Sequence, residues 1–333
     1  MSPREAESLF LAIEIGGTKL QLGLGRGDGE ILALRRAPID PSRGASAILG
    51  QIRDAAGPLL AELGRGPGEI QAAGIGFGGP VDARAGVVRR SFQVEGWDGF
   101  DLAGWARGAL GIPRVALAND ADAAALAEAT VGAGAGLSPI LYVNSGSGIG
   151  GGLVVDGAIY EGCGVGAVEV GHLRVEVDGR TVELEEVASG WGIGRAAADL
   201  LRGRIAAGGD LGALGRLVGG DPGRVTAAEA AAAAVDGDEG AARVYRRAAE
   251  AMARGLNHAV TLLGPRRVVL GGGVSLAPEA LWLDPIRRAL DAIGFAPLRG
   301  SFDVVPARLG EGVVIHGALA MAARLARSSL RET

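Results

Sequence analysis

Four short stretches of this chain combine residue types that can handle a phosphorylated or hydroxylated small molecule. Two are glycine turns, Gly16-Gly17-Thr18-Lys19 and Ser145-Gly146-Ser147-Gly148. Glycines in a turn let backbone N–H groups approach phosphate oxygens with no Cβ in the way. Thr18, Ser145 and Ser147 add hydroxyl donors, and Lys19, the only lysine of the chain, adds a positive charge. Neither turn is a Walker loop, since no GxxxxGK[ST] is present. Neither is a dinucleotide fingerprint, because a strand and not a helix is expected after each turn. One such turn alone is structural by default; two at equivalent positions of a duplicated chain point to a phosphate cleft.

The third stretch is Asn119-Asp120, where a strand gives way to a helix. Asp120 is there either a helix cap or a general base at the carboxyl end of a strand, where open α/β sheets bind ligands. The fourth is Glu169-Val170-Gly171-His172. No cysteine or second histidine lies nearby to complete a metal site around His172. A carboxylate that accepts and an imidazole that donates or accepts suit sugar hydroxyls better. Glu183, Glu185 and Glu186 form an acidic run before Ser189-Gly190, by default a solvated face. Cys163, the only cysteine, has no basic neighbour in sequence and is expected to be a small buried residue.

The hydrophobic pattern puts these stretches at strand ends. Apolar runs at Leu9–Ile15, Leu20–Leu24 and Ile31–Leu34, separated by turn residues, predict a hairpin meander. A helix is expected over Ala45–Leu63, and a strand over Ile70–Phe77 that ends in Gly78-Gly79-Pro80. A second helix, Leu102–Leu110, precedes a short strand, Val115–Ala118, and the helix Ala121–Ala129. The second half begins alike, with strands at Ile140–Val143, Gly150–Val155 and Ala158–Tyr160, and later Arg267–Leu270 running into Gly271-Gly272-Gly273. The pattern is an internal duplication of a βββαβα-like unit. A helical region over Val187–Leu263 carries the alanine run Ala227–Ala234, and Val313–Leu325 reads as a helix packing back on the body.

Composition narrows the function. Of 333 residues 59 are glycine, more than twice the usual ~7%. The chain is nevertheless 48% hydrophobic, enough apolar surface to offset chain entropy, so disorder is excluded. A net charge of -5 argues against nucleic-acid binding. No apolar run is long enough to span a bilayer. The N-terminus lacks the basic and apolar regions of a signal peptide, so a soluble cytoplasmic protein is expected.

Taken together, these motifs resemble the ROK family of sugar kinases and repressors, within the actin-like, hexokinase-like ATPase superfamily. The resemblance runs from about Leu9 to Ala323. Ile15–Lys19 resembles the first phosphate motif, and Gly74–Asp82 (GIGFGGPVD) the sugar-side GxPGPVD loop, with Gly78 where proline is common. Asn119–Ala123 resembles NDANA, whose aspartate is the catalytic base. Ser145–Gly152 is similar to TGTGIGGG, Ala167–His172 to AGEIGH, and Val268–Ser275 to the adenosine-side glycine motif. Two departures stand out. Glu14 occupies the place of a usual aspartate. Gly179–Gly190 replaces the family's CXCGXXGCXE and has no cysteine, so no zinc site is expected.

The resemblance implies duplicated α/β actin-like (ribonuclease H-like) domains with a central cleft, closing over the sugar to exclude water. The first domain would cover 1–118 and be completed by a helix at about 312–330. The second would cover 119–311, with a helical insertion at about 187–263. It implies an ATP-dependent kinase for a hexose, glucose or a close relative, phosphorylated at the 6-hydroxyl with Asp120 as base. Gly78, Gly79, Asn119, Asp120, Glu169, His172 and Glu185 would bind the sugar; Glu185 is aligned through Ala188-Ser189-Gly190, with Glu183 and Glu186 close by as alternatives. Gly16, Gly17, Thr18, Lys19, Ser145, Gly146, Ser147, Gly148, Gly271, Gly272 and Gly273 would hold ATP. Mg²⁺ is expected near Glu14 and Asp120, and a homodimer is in keeping with the family. With the first phosphate strand beginning near Leu9, a preceding DNA-binding helix-turn-helix is not expected. The alternative is a sugar-sensing protein without kinase activity.

Overall fold

The computed structural model describes residues 8–164 and 166–329. The reading of the extreme N-terminus rests largely on residues 1–7 and lies outside the described residues. The first half comprises β1 (Leu9–Ile15), β2 (Lys19–Gly25), β3 (Ile31–Pro38), α1 (Gly44–Glu62), β4 (Ile70–Phe77), β5 (Val81–Asp82), β6 (Val87–Val88), α2 (Leu102–Leu110), β7 (Val115–Asn119) and α3 (Asp120–Thr130). The chain continues with β8 (Ile140–Ser145), β9 (Ile149–Val155), β10 (Ala158–Ile159), β11 (Arg174–Val177) and β12 (Arg180–Glu183). The helices α4 (Leu184–Ala188), α5 (Gly190–Ala206), α6 (Gly212–Leu217), α7 (Ala227–Val235) and α8 (Glu239–Leu263) follow, then β13 (Arg267–Gly271), α9 (Leu283–Ile293), β14 (Asp303–Pro306) and α10 (Val313–Ser329).

Helix ends follow their local chemistry. Asp101 caps α2 by accepting from Gly104 N–H, and Gly111 ends it in the left-handed conformation. Asp238 and Gly264 do the same for α8.

The expected duplication is visible in the sheets. One has the order β3-β2-β1-β4-β7 and the other β10-β9-β8-β13-β14, the same arrangement twice. In the first, β1 runs antiparallel to β2 and parallel to β4, and β7 is parallel to β4. In the second, β13 runs parallel to both β8 and β14. The hairpins β5–β6 and β11–β12, the strand β14 and the helix α9 are additional to the sequence-based pattern. The two hairpins are short, and α9 lies beyond the last glycine motif, where no family signature marks it.

The chain divides into two compact units. Among the described residues the first comprises 8–138, 152–164, 166–167 and 308–329, and the second 139–151 and 168–307. The sequence-based boundary at 118/119 therefore falls inside the first unit, and α3 belongs with β7. In the first unit α1 packs on β2 and β3, while α10 packs on β1, β4 and α3. Backbone approach at that last contact is so close that a Cβ on Gly317 would collide with the carbonyl of Ala123. Trp97 sits fully buried between Phe77 and Phe100, edge to face with both. In the second unit α8 is the central helix, contacting α4, α5, α7, α9 and β11. Among the described residues no helix is long and apolar enough to cross a membrane.

Candidate active site

In the first unit the turn between β1 and β2 is closed by Gly16 N–H donating to the Lys19 carbonyl at 2.9 Å. Thr18 is exposed at its tip. The amide of Gln93 lies over Gly17, in the space a Cβ would need. Gly78 N–H donates to the Ile15 carbonyl at 2.8 Å, which ties the Gly78-Gly79 loop to this turn. The Asn119 side chain donates to the Gly79 carbonyl at 3.0 Å. Its oxygen accepts from Ala121 N–H at 2.8 Å, so the cap of α3 is Asn119. Asp120 is then the first helical residue, half-buried at the carboxyl end of β7. A Cβ on Gly78 would lie 3.4 Å from Gly16 Cα and 3.6 Å from Asp120 Oδ2. The unit thus gathers Gly16, Gly78, Gly79, Asn119 and Asp120.

The helix carrying Asp120 is anchored at its far end by a residue the sequence gave no reason to single out. Glu128 is fully buried, and its carboxylate accepts from the backbone N–H groups of Ala133, Arg308 and Leu309, at 2.6, 2.8 and 2.9 Å. No local pattern marks it, because two of its partners lie some 180 residues away.

Glu14 is 8% exposed. Lys19 Nζ lies 3.3 Å from one carboxylate oxygen, and the Gln21 amide donates to the other. Arg36 in turn donates to Gln21 Oε1 at 2.7 Å. Burial pushes the Glu14 pKa up, against the pull of Lys19 and Gln21. Both oxygens already face donors, one Lys19 and the other Gln21, so as folded Glu14 is engaged within the unit.

In the second unit the turn between β8 and β9 is closed by Gly146 N–H donating to the Gly148 carbonyl at 2.9 Å. The start of α5 presses on it. Gly190 N–H donates to the Gly146 carbonyl at 2.7 Å and Trp191 N–H to the Ser147 carbonyl at 3.4 Å. A Cβ on Gly190 would stand only 2.9 Å from the Gly146 oxygen. Ser145, expected to offer a hydroxyl to phosphate, is 1% exposed and donates to the Ala188 carbonyl at 2.8 Å. Its hydroxyl proton is committed inward, whereas Ser147 is exposed. Gly272, with φ +87°, lies against the carbonyl of Ser145 and the side chain of Asn144, so the glycines after β13 adjoin the turn.

Glu169 is the centre of an inverse γ-turn, with φ -71°, ψ 60° and a 2.7 Å bond from Val170 N–H to the Val168 carbonyl. Val168 before it has φ +59°, a costly conformation for a β-branched residue. His172 N–H donates to the Glu169 carbonyl at 3.1 Å. The acidic run is no uniform solvated face. Glu183 meets His172 Nδ1 at 3.1 Å and forms a capping box with Glu186 that starts α4. Glu185 accepts from Ile149 N–H at 3.3 Å, beside Gly148. His172, Glu183 and Glu185 bring one polar atom each to within 4.8 Å of one another. The hydrogen bond to Glu183, with the charges of Glu185 and Glu169, raises the His172 pKa. Cys163, expected to be buried, is exposed.

The family model described as ROK matches residues 10–325. A glucokinase of Thermotoga maritima is 30% identical over 316 residues, covering 93% of this chain and 95% of that protein. The crystal structure of a ROK family glucokinase from Streptomyces griseus, in complex with glucose and AMPPNP, has a TM-score of 0.78 and 31% identity, covering 95% of this chain and 99% of that one. A ROK hexokinase structure from Thermus thermophilus has a TM-score of 0.74 and 29% identity, covering 98% and 100%. The fold is that of the actin-like sugar kinases. The chain belongs to the ROK family.

Proposed function

We propose that this protein is an ATP-dependent sugar kinase that transfers the γ-phosphoryl group of ATP to the 6-hydroxyl of a hexose, glucose or a close relative. The observation that carries this reading is Asp120. A half-buried carboxylate at the carboxyl end of a parallel strand, beside the Gly16 turn and the Gly78-Gly79 loop, suits a general base. The likeness to glucokinases over almost the whole chain supports it.

In this reading Asp120 accepts the proton of the attacking hydroxyl. Asn119, Glu169, His172 and Glu185 orient the sugar through its other hydroxyls, with the Gly78-Gly79 backbone. Thr18, Lys19, Ser147 and the neighbouring glycines hold phosphates, and Gly271–Gly273 admit the nucleoside. Ser145 acts indirectly, by fixing the turn. Positioning and electrostatics supply most of the catalysis in phosphoryl transfer, so no covalent intermediate is required. Mg²⁺ is expected on the nucleotide phosphates.

The test is ADP release by the purified protein across a panel of hexoses and N-acetylhexosamines. Turnover with glucose or a close relative, and a 6-phosphate product by NMR, is the expected result. Sugar binding without turnover on any member would overturn it in favour of a sugar sensor.

A further inference from the structure

Two exposed apolar side chains beside the second glycine turn have no role in the chemistry above. Trp191, the second residue of α5, is 62% exposed, and Leu276, at the end of the 3-10 turn Gly273–Leu276, is 86% exposed. Their neighbours touch. Val274 is buried, and its Cγ2 lies 3.7 Å from where a Cβ on Gly190 would stand. Trp191 N–H bonds to the Ser147 carbonyl, while Gly272 rests on Ser145. The residues that carry an indole and an isobutyl group thus adjoin the second glycine turn and the glycines after β13, and both side chains are exposed. The indole is carried on a helix whose first turn is locked to the phosphate turn by two backbone hydrogen bonds. Leaving a large aromatic side chain in water has no structural return, whereas a purine offers a flat apolar face of matching size.

We propose that Trp191, with Leu276, forms the apolar platform for the base of the nucleotide, and so makes this chain prefer ATP over an inorganic polyphosphate donor. This rests on the reading of the second turn as a phosphate site. It adds the group that would separate a nucleotide from a bare phosphate chain, because the glycines and Ser147 would contact either donor alike.

The experiment reads binding and not turnover, so it stands apart from the kinase assay. Trp97 and Trp282 are buried and Trp105 is half-buried, which leaves Trp191 as the solvent-facing indole. Intrinsic fluorescence of the full chain is titrated with ADP and, separately, with tripolyphosphate. ADP is expected to change the emission, with tripolyphosphate much less effective. By calorimetry Trp191→Ala is expected to weaken ADP binding roughly 10-fold, in the range of a lost base–aromatic stack, with Trp191→Phe restoring most of it. Tripolyphosphate affinity and the melting temperature should stay unchanged. Equal ADP affinity in wild type and Trp191→Ala, or equal losses for ADP and tripolyphosphate, would overturn the proposal. A protein that binds ADP through Trp191 yet phosphorylates no sugar would refute the kinase reading and leave the platform standing.

Discussion

The turn after β1 and the turn after β8 occupy the same place in two copies of one sheet arrangement, and each is closed by a glycine N–H bonded to a nearby carbonyl, of Lys19 at the start of β2 and of Gly148 just before β9. Their surroundings differ. The first is bordered by charge, with Lys19 against Glu14, and Glu14 against Gln21 and Arg36. The second is bordered by packing, with Gly190 pressed on Gly146 and Ser145 bonded inward to Ala188. Duplication repeated the backbone and left the side chains to diverge. The first turn carries a cation beside an exposed threonine; the second carries no charge and one exposed hydroxyl, that of Ser147.

That contrast can be broken or sharpened by substitution. Lys19→Met should have the largest effect. It removes the only cation of either turn, and kcat should fall about 100-fold, the scale for losing one preorganised charge donor. The melting temperature should drop too, because the nearly buried Glu14 loses its cation. A fall below 5-fold would mean that charge does not distinguish the first turn. Gly190→Val should act through packing. With the carbonyl of Gly146 in the way, the second turn must shift, and KM for ATP should rise about 10-fold with a lowered melting temperature. Unchanged ATP kinetics would show that α5 does not hold the turn.

The two serines should separate cleanly. Ser147→Ala should raise KM for ATP several-fold at unchanged stability. Ser145→Ala should cost about 1 kcal/mol of stability, the usual value of a buried hydrogen bond, with smaller kinetic effects. The reverse pattern would restore Ser145 as the phosphate ligand. Smallest is the effect of Glu14→Gln. A carboxyl whose pKa is raised on folding contributes stability that is fully present below its unfolded value of 4.5 and is lost as pH rises through the folded value. The variant should therefore melt roughly 2 °C above wild type at neutral pH, with the gain vanishing in acid. A gain that persists below pH 4 would contradict burial as the cause.

The motifs and the strands that carry them were legible because they are local. Strand, glycine turn, strand can be read from a dozen residues, and Asn119-Asp120 marks the end of β7 by its own chemistry. What was not legible depends on partners far along the chain. Ser145 looks like an open hydroxyl until Ala188, 43 residues on, claims it. Glu128 looks like any helical glutamate until the segment leading into α10 supplies two of its donors, Arg308 and Leu309. The acidic run divided into three roles once the β11–β12 hairpin brought Glu183 to His172, and no spacing rule predicts that hairpin.

The proposed role of Asp120 is to accept the proton of the sugar hydroxyl. It is tested most directly by the turnover of Asp120→Asn at saturating sugar and ATP, alongside calorimetric sugar affinity. Asparagine keeps the size and much of the hydrogen bonding but cannot accept the proton. Loss of a general base is expected to lower kcat by about 100- to 10,000-fold while sugar affinity changes only a few-fold. Turnover at the wild-type rate with sugar binding intact would contradict the account.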